Sequence, residues 1–236
     1  MGMARKVFQG LTATGVMLFL LVASSSVASA FNLRAPQVAF NDTTLNAYFV
    51  SKGETINTLT DQVDGQIWNA SISGNATFTL MIELTANAAN NALGIYNTGV
   101  PVPPLNNVFP GSASAGWFAT AHFAGGNLTV TLFDNNSIIQ GQITYAGVNA
   151  NGFGFYLVGP GGTFYSQDSR NPGGKPRALT YLGTGNNFGD WWECFEDSNG
   201  ATATSDFDDA VLLLQSVVPT ANTSSTWGKV KSLYRK

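Results

Sequence analysis

Acidic residues are concentrated in one stretch of the chain, and carboxylates at short spacing can bind a metal ion or exchange protons. Seven of the 14 Asp and Glu residues lie between Asp190 and Asp209, in a chain of 236 residues. Five of the seven flank one short loop: Glu196, Asp197, Asp206, Asp208 and Asp209. Like charges at this spacing repel one another unless something offsets them. The pattern predicts either a solvated acidic loop or a site for a hard cation.

The cation that these ligands favour is Ca²⁺, which takes 6–8 oxygen ligands from carboxylates, carbonyls and water. The predicted metal ligands are Glu196, Asp197, Asp206, Asp208 and Asp209. The pattern is not an EF-hand, because the loop that begins at Asp206 has no Gly at its sixth position and no Glu at its twelfth. Zinc fits less well, because the chain has one His and one Cys.

Two apolar segments, DWWECFED and DAVLLLQSVV, must position these acids. Successive residues of a strand point to opposite faces, so Trp191 and Trp192 lie on different faces of the first segment. Aromatic residues on both faces predict a strand in the interior of a sheet. If the two segments pair as a hairpin, Glu196 and Asp197 face Asp206, Asp208 and Asp209 across one loop.

Short β-branched and aromatic runs alternate with Gly- and Asn-rich turns such as FAGGN and GPGG, and helical patterns are scarce. About a dozen such runs predict an all-β fold, an antiparallel β-sandwich of the jelly-roll-like kind. The expected domain covers residues 31–219. The segment NAYFV, residues 46–50, is among the predicted strands.

Both ends of the chain are expected to lie outside this domain. Residues 1–30 have the three parts of a cleaved secretory signal: basic residues, an apolar core and the small-residue end Ala28-Ser29-Ala30. Residues 220–226 predict a polar linker, and residues 227–236 a basic amphipathic tail. We expect a sorting receptor to bind the tail. An anionic membrane surface, the acidic body and a disordered end without a partner are the alternatives.

Charge and cysteine content narrow the classes of partner. From Phe31 onward the chain carries nine basic and 14 acidic residues, a net charge of −5. Such a surface repels phosphate backbones, so nucleic acid is not an expected partner. No apolar run after the leader is long enough to span a membrane. Cys194, the single cysteine, is predicted to be a small buried hydrophobic residue.

The segment FEDSNGATATSDFDDAVLLL resembles the C-terminal motif of an exported bacterial family, domain of unknown function 4114. That motif has FEDL and then, after a short loop, D-x-D-F-N-D-x-V. The upstream GFGFYLVGPGGTFYSQDSRNPGGKPRALTY is similar to another family segment, so the resemblance covers about residues 150–218. Ser198, Ser205 and Asp208 depart from the motif. The resemblance implies an exported β-sandwich with a calcium site and implies no reaction.

Candidates for catalysis are few. His122 is the only His, and a lone His in a strand is usually structural. Glu193 and Glu196 are three residues apart in a strand, so they face opposite ways and are poorly placed as a glycosidase pair. No other motif has a geometry that predicts a reaction.

We therefore expect a secreted or cell-surface protein without catalysis, with a structural Ca²⁺ site and a role in adhesion or in surface or matrix assembly. Its partner would be a surface protein or a glycan. The alternative is a carbohydrate-binding module in which Trp117, Trp191 or Trp192 stacks on sugars, although core packing is the commoner role of such residues. A hydrolase is the least favoured class.

Overall fold

The computed structural model describes residues 32–82 and 88–220, which fold into two antiparallel sheets packed face to face. This arrangement confirms the predicted all-β sandwich. The predicted leader, the tail and all of the linker except Thr220 lie outside the described residues. Among the described residues, no helix has the length and apolar character needed to cross a membrane.

One α-helix and thirteen strands make up the regular structure of the described residues. The helix α1 spans Thr43–Ser51. The strands are β1 (Trp68–Ala70), β2 (Asn75–Ile82), β3 (Ala92–Asn97), β4 (Asn106–Phe109), β5 (Phe118–Ala124), β6 (Asn127–Phe133), β7 (Ile139–Ala146), β8 (Asn151–Gly159), β9 (Gly162–Tyr165), β10 (Ala178–Leu182), β11 (Trp191–Phe195), β12 (Ala210–Gln215) and β13 (Val217–Pro219). Short 3-10 turns lie at Ala88–Asn90, Asp168–Arg170, Pro172–Gly174, Gly185–Asn187 and Thr202–Thr204.

The larger sheet has seven strands in the order β10-β11-β12-β2-β5-β6-β7. The smaller sheet has the order β13-β1-β8-β3-β4, with β9 also paired to β8. The chain passes repeatedly from one sheet to the other, so that neighbours in a sheet are often distant in sequence. In particular, β2 pairs with β12, which brings Leu80 opposite Leu212.

Aromatic side chains fill the space between the sheets. The ring of Trp68 lies 5.6 Å from that of Phe155 and 5.9 Å from that of Trp191. Phe78 contacts Phe155 from the opposite sheet at 5.3 Å. The alternation in NLTVTLF is explained by this core, since Leu128, Val130 and Leu132 are buried in it.

Helix α1 covers the outer face of the larger sheet over β10, β11 and β12. Leu45 and Phe49, four residues apart and therefore on one side of the helix, are fully buried. The ring of Phe49 lies 5.2 Å from that of Trp192 and 5.4 Å from that of Tyr181. The prediction of a strand at NAYFV is wrong, because the apolar residues that decide the packing here have helical spacing.

Strand β11 lies between β10 and β12, as its two apolar faces predict. All five of its residues are buried. Trp191 and Phe195 belong to the core between the sheets, whereas Trp192 and Cys194 pack under α1. The thiol of Cys194 is free and buried, which confirms its prediction as a hydrophobic residue.

Candidate metal centre

The acidic loop connects β11 to β12 and closes a hairpin. The two strands pair antiparallel from Trp191 opposite Leu214 to Phe195 opposite Ala210. Glu196 follows the first strand directly and Asp209 precedes the second, so both lie at the same end of the sheet. The hairpin predicted from the sequence is confirmed.

Three carboxylates converge at this end. One oxygen each from Glu196, Asp206 and Asp209 can be chosen so that all three lie within 4.8 Å of one another. Calcium binds oxygen at about 2.3–2.6 Å, so two ligands of one ion lie no more than about 5 Å apart. The spacing of the three oxygens therefore fits a single ion of this size.

Hydrogen bonds fix the orientation of these carboxylates. The Ser198 hydroxyl donates to Oε1 of Glu196. The backbone N–H of Asp206 donates to Oε2 of Glu196 at 3.2 Å. The N–H of Asp197 donates to Oδ2 of Asp209 at 2.7 Å. The loop backbone thus holds acids from both sides of the hairpin against one another.

The other two predicted ligands have different contacts. One carboxylate oxygen of Asp197 accepts a hydrogen bond from Nδ2 of Asn91 at 3.1 Å. The Asp208 carboxylate hydrogen-bonds the side chains of Thr44 and Asp206. The structure therefore brings together Glu196, Asp206 and Asp209, with Asp208 bonded to one member of the group and Asp197 directed to Asn91.

Burial and mutual repulsion raise the pKa values of this group. Burial, followed by the charge of Asp206, raises the pKa of Asp208 to about 6. Burial raises the pKa of Asp209 to about 7, and the neighbouring Asp197 and Glu196 add to the shift. Burial and Glu196 also raise the pKa of Asp206. Each of these carboxylates is therefore harder to ionise than an ordinary surface acid.

Among the described residues, no basic side chain forms an ion pair with Glu196, Asp206, Asp208 or Asp209. Arg34 forms an ion pair with Asp168, away from this loop. Arg177 lies under the loop, but it donates to the carbonyl of Gly200 at 2.8 Å and to the hydroxyl of Ser205 at 3.5 Å. It holds the loop backbone in place without neutralising the carboxylates.

The turn between Asp206 and Asp208 depends on Phe207, whose φ is 54°. A positive φ is uncommon for a bulky residue and persists only where the surroundings fix it. The Phe207 side chain is fully buried, with its ring 5.2 Å from that of Phe40. This contact anchors the turn that carries the two acids.

Sequence reasoning did not find Ser198, Thr44 or Arg177. Ser198 is two residues from Glu196, so its proximity offered a clue. Thr44 and Arg177 are far from the loop in sequence and only the fold brings them near. Neither Thr44 nor Arg177 belongs to a sequence pattern that predicts a metal site.

A sixth acid near the loop has a different environment. Glu193 is fully buried in the middle of β11, where the Thr180 hydroxyl donates to its Oε2 at 2.6 Å. Burial raises the pKa of Glu193 to about 8, although the Thr180 hydrogen bond favours the ionised form. It is held apart from the converging carboxylates and is expected to stay protonated at neutral pH.

The tryptophans proposed for sugar stacking are core residues. Trp191 is 1% exposed and Trp192 is 0% exposed, so neither can contact a sugar, and that prediction is wrong for both. Trp117 is partly buried and packs against the core between the sheets. His122 is exposed on β5, where its Nδ1 lies 2.7 Å from Oδ1 of Asn75.

Comparison with known proteins yields no match for the chain among family models, curated proteins or solved structures.

Proposed function

We propose that this is an exported, non-catalytic β-sandwich protein that binds one Ca²⁺ ion at the β11–β12 loop. The convergence of Glu196, Asp206 and Asp209 carries the proposal. All three donors are carboxylate oxygens, the ligand type that Ca²⁺ prefers and that Zn²⁺ uses less. Asp208, which hydrogen-bonds Asp206, is available as a further oxygen ligand.

The role of the ion would be structural. The loop contacts the N-terminal segment, because the N–H of Asn41 donates to the carbonyl of Ser205 at 2.9 Å. It also contacts the β8–β9 turn, because Nδ2 of Asn199 donates to the carbonyl of Gly161 at 2.7 Å. An ion that offsets repulsion in the loop would therefore stabilise the contacts of three separate segments.

Calcium titration of the purified protein tests the proposal. We expect one binding event by isothermal titration calorimetry and a higher melting temperature in Ca²⁺ than in EDTA. An ion that binds only the folded state stabilises it by about 2.7 kcal/mol at a hundredfold excess over Kd. Asp206→Asn, Asp208→Asn and Asp209→Asn should each reduce the calcium response.

Asp190→Asn is the matched control. Asp190 precedes the same strand at its opposite end, where Oδ2 accepts a hydrogen bond from Gln215 at 2.8 Å. The substitution removes one charge next to β11 without touching the loop, so its calcium response should equal that of the unmodified protein. If calcium leaves the melting curve unchanged, the loop does not bind the ion and the proposal fails.

Export and a role at the cell surface remain proposals from the sequence of residues 1–30 and from the acidic composition. Adhesion or matrix assembly with a surface protein or glycan fits such a protein. Deleting residues 220–236 should leave folding and the calcium response intact but change where the protein accumulates, as measured in cells and medium. An identical distribution would remove the sorting role of the tail.

A further inference from the structure

Five strands of the described residues have a neighbour on one side only, and four of them are protected from pairing with another chain. The four-residue strand β9 is one, because the side-chain amide of Asn171 hydrogen-bonds the N–H and the carbonyl of Tyr165 at 2.8 and 2.9 Å. At β10, the N–H of Val63 donates to the carbonyl of Thr180 at 2.8 Å and covers the edge. Strand β13 has three residues and ends in Pro219. Strand β4 has four residues and is followed by Pro110. Short edges, prolines and covering segments are the usual means of blocking edge-to-edge contact.

The fifth of these strands, β7, has none of these features. It is eight residues long, and all of them except Tyr145 are exposed. Its sequence, IQGQITYA, has no proline and no charged residue. Its pairing with β6 is irregular only at the start, between Phe133 and Leu132, and is regular from Gly141 to Ala146. Among the described residues it pairs with β6 alone, so one row of backbone groups has no partner strand.

The inner side of β7 carries apolar side chains that are only partly covered. Ile143 pairs with the buried Val130 and points to the same side, yet it is 48% exposed. A groove of about 210 Å³ lies between this strand and β4, and its lining includes Val108, Leu132 and Tyr145. The edge therefore offers apolar side chains as well as backbone hydrogen-bonding groups.

Charge indicates which partner fits this edge. The outer side of β7 carries neutral pairs, Thr144 with Thr129 at 2.9 Å and Gln142 with Thr131 at 2.8 Å. The nearest acid, Asp134, accepts hydrogen bonds from the N–H groups of Asn136 and Ile138 and from Nε2 of Gln140. Two copies of a chain with an excess of acidic residues can pair at this edge without setting acidic side chains of β7 against one another.

We propose that β7 of one molecule pairs antiparallel with β7 of a second copy about a two-fold axis. The arrangement is self-complementary, as the isologous contact of a symmetric dimer requires. It joins the two larger sheets into one continuous sheet and places Ile143 and Tyr145 of both copies on the same side. Because strand pairing alone is weak in water, these apolar side chains supply part of the stability.

Sedimentation equilibrium of the full protein over a range of concentrations tests the pairing. We expect a monomer–dimer equilibrium. Ile143→Lys and Ile143→Glu place like charges opposite one another near the two-fold axis, so each should raise the dimer dissociation constant by about tenfold or more. An equal mixture of the two variants should recover most of the lost association, because Lys then faces Glu.

Thr120→Lys is the matched control, since Thr120 is exposed on the same sheet at β5, away from the edge. It should leave the dimer unchanged. Thermal melting of each variant checks that the fold is intact, and the recovery in the mixture cannot come from unfolded chains. Hydrogen exchange should show slower exchange of β7 amides in the dimer than in the diluted monomer.

Three results would overturn the proposal. One is a protein that stays monomeric at every soluble concentration. If that monomer is also retained by a neutral polysaccharide column, the edge binds a glycan instead of a second copy. Another is a dimer that both Ile143 variants leave intact. The last is a dimer in which the β7 amides exchange as fast as in the monomer.

Discussion

Glu193 and Glu196 are three residues apart, yet their carboxyl groups lie in different environments. Glu193 lies in the middle of β11 with one hydroxyl donor, and its pKa is raised to about 8. Glu196 lies just past the end of the strand, where Asp206 and Asp209 join it. In the interior of a sheet, an isolated carboxyl group is neutralised by keeping its proton. At the end of a strand, several carboxylates can share a cation.

The largest effect expected from this difference is a pH dependence that Glu193→Gln removes. The folded-state pKa is about 8 and the ordinary value is 4.5. Between these values the unfolded chain loses a proton that the folded chain keeps, so the free energy of unfolding falls as pH rises through this window. The loss is on the order of 5 kcal/mol and is complete above the folded-state pKa.

Urea unfolding at pH 5 and pH 8 in excess calcium would measure this dependence, with the calcium suppressing titration of the loop. We expect the unmodified protein to lose stability over this range and the Gln variant to be nearly flat. Equal slopes for the two proteins would mean that Glu193 is ionised in the fold, and the contrast with the loop would disappear.

The second effect is that a substitution in the loop changes the free energy of unfolding in opposite directions without and with calcium. Without calcium, Asp209→Asn removes one of several crowded negative charges and should raise the free energy of unfolding by about 1–2 kcal/mol at pH 8. In excess calcium the same variant should be less stable than the unmodified protein, because it loses up to about 2.7 kcal/mol of ligand stabilisation. Unfolding curves in EDTA and in calcium give both values. A variant that is destabilised by the same amount in both would indicate a packing role alone.

The third prediction concerns the single donor of Glu193. Thr180→Val keeps the side-chain volume but removes the 2.6 Å hydrogen bond to a fully buried carboxyl group. An unsatisfied buried group costs about 1–3 kcal/mol, so we expect a loss near 2 kcal/mol. Thr144→Val, on the exposed side of β7, is the control and should change stability by less than about 0.5 kcal/mol. Similar losses at the two sites would show that burial does not set the cost.

The smallest effect is expected for the equivalent hydroxyl in the loop. Ser198→Ala removes the donor to Glu196, but this bond lies in a partly exposed position. Without calcium the loss should stay below about 1 kcal/mol. With calcium, Kd should rise by about tenfold, because Glu196 loses the contact that orients it. Calorimetry separates the two effects, and an unchanged Kd would exclude an orienting role.

The sequence predicts the hairpin and its acids well, because both depend on local order in the chain. Alternation, apolar runs and a short connection are enough to place Glu196 and Asp209 at one end of two paired strands. The same pattern cannot show that Thr44 reaches Asp208 or that Phe40 packs on Phe207. Those contacts depend on α1 lying over β11, a tertiary choice that local propensity does not determine.

The environment of Glu193 was also beyond sequence reasoning. Its position predicts which face it occupies and the aromatic residues predict an interior strand, but neither shows which side chains of the neighbouring strands lie beside the carboxyl group. Only the layer of Thr180 on one side and Leu212 on the other shows that the carboxyl group is buried in the sheet. Burial that depends on strand order in this way carries no local signature.

The position of β12 in the larger sheet has a consequence for the order of events during synthesis. It is among the last strands to be made, yet among the described strands it is the one that lies between β11 and β2 and joins the two parts of that sheet. Until residues as far as Gln215 have left the ribosome, β2, β5, β6 and β7 have no contact through the sheet with β10 and β11. Sheets assembled from such distant segments fold slowly. A chain cut before Ala210 would therefore contain two separate fragments of sheet with no strand to join them.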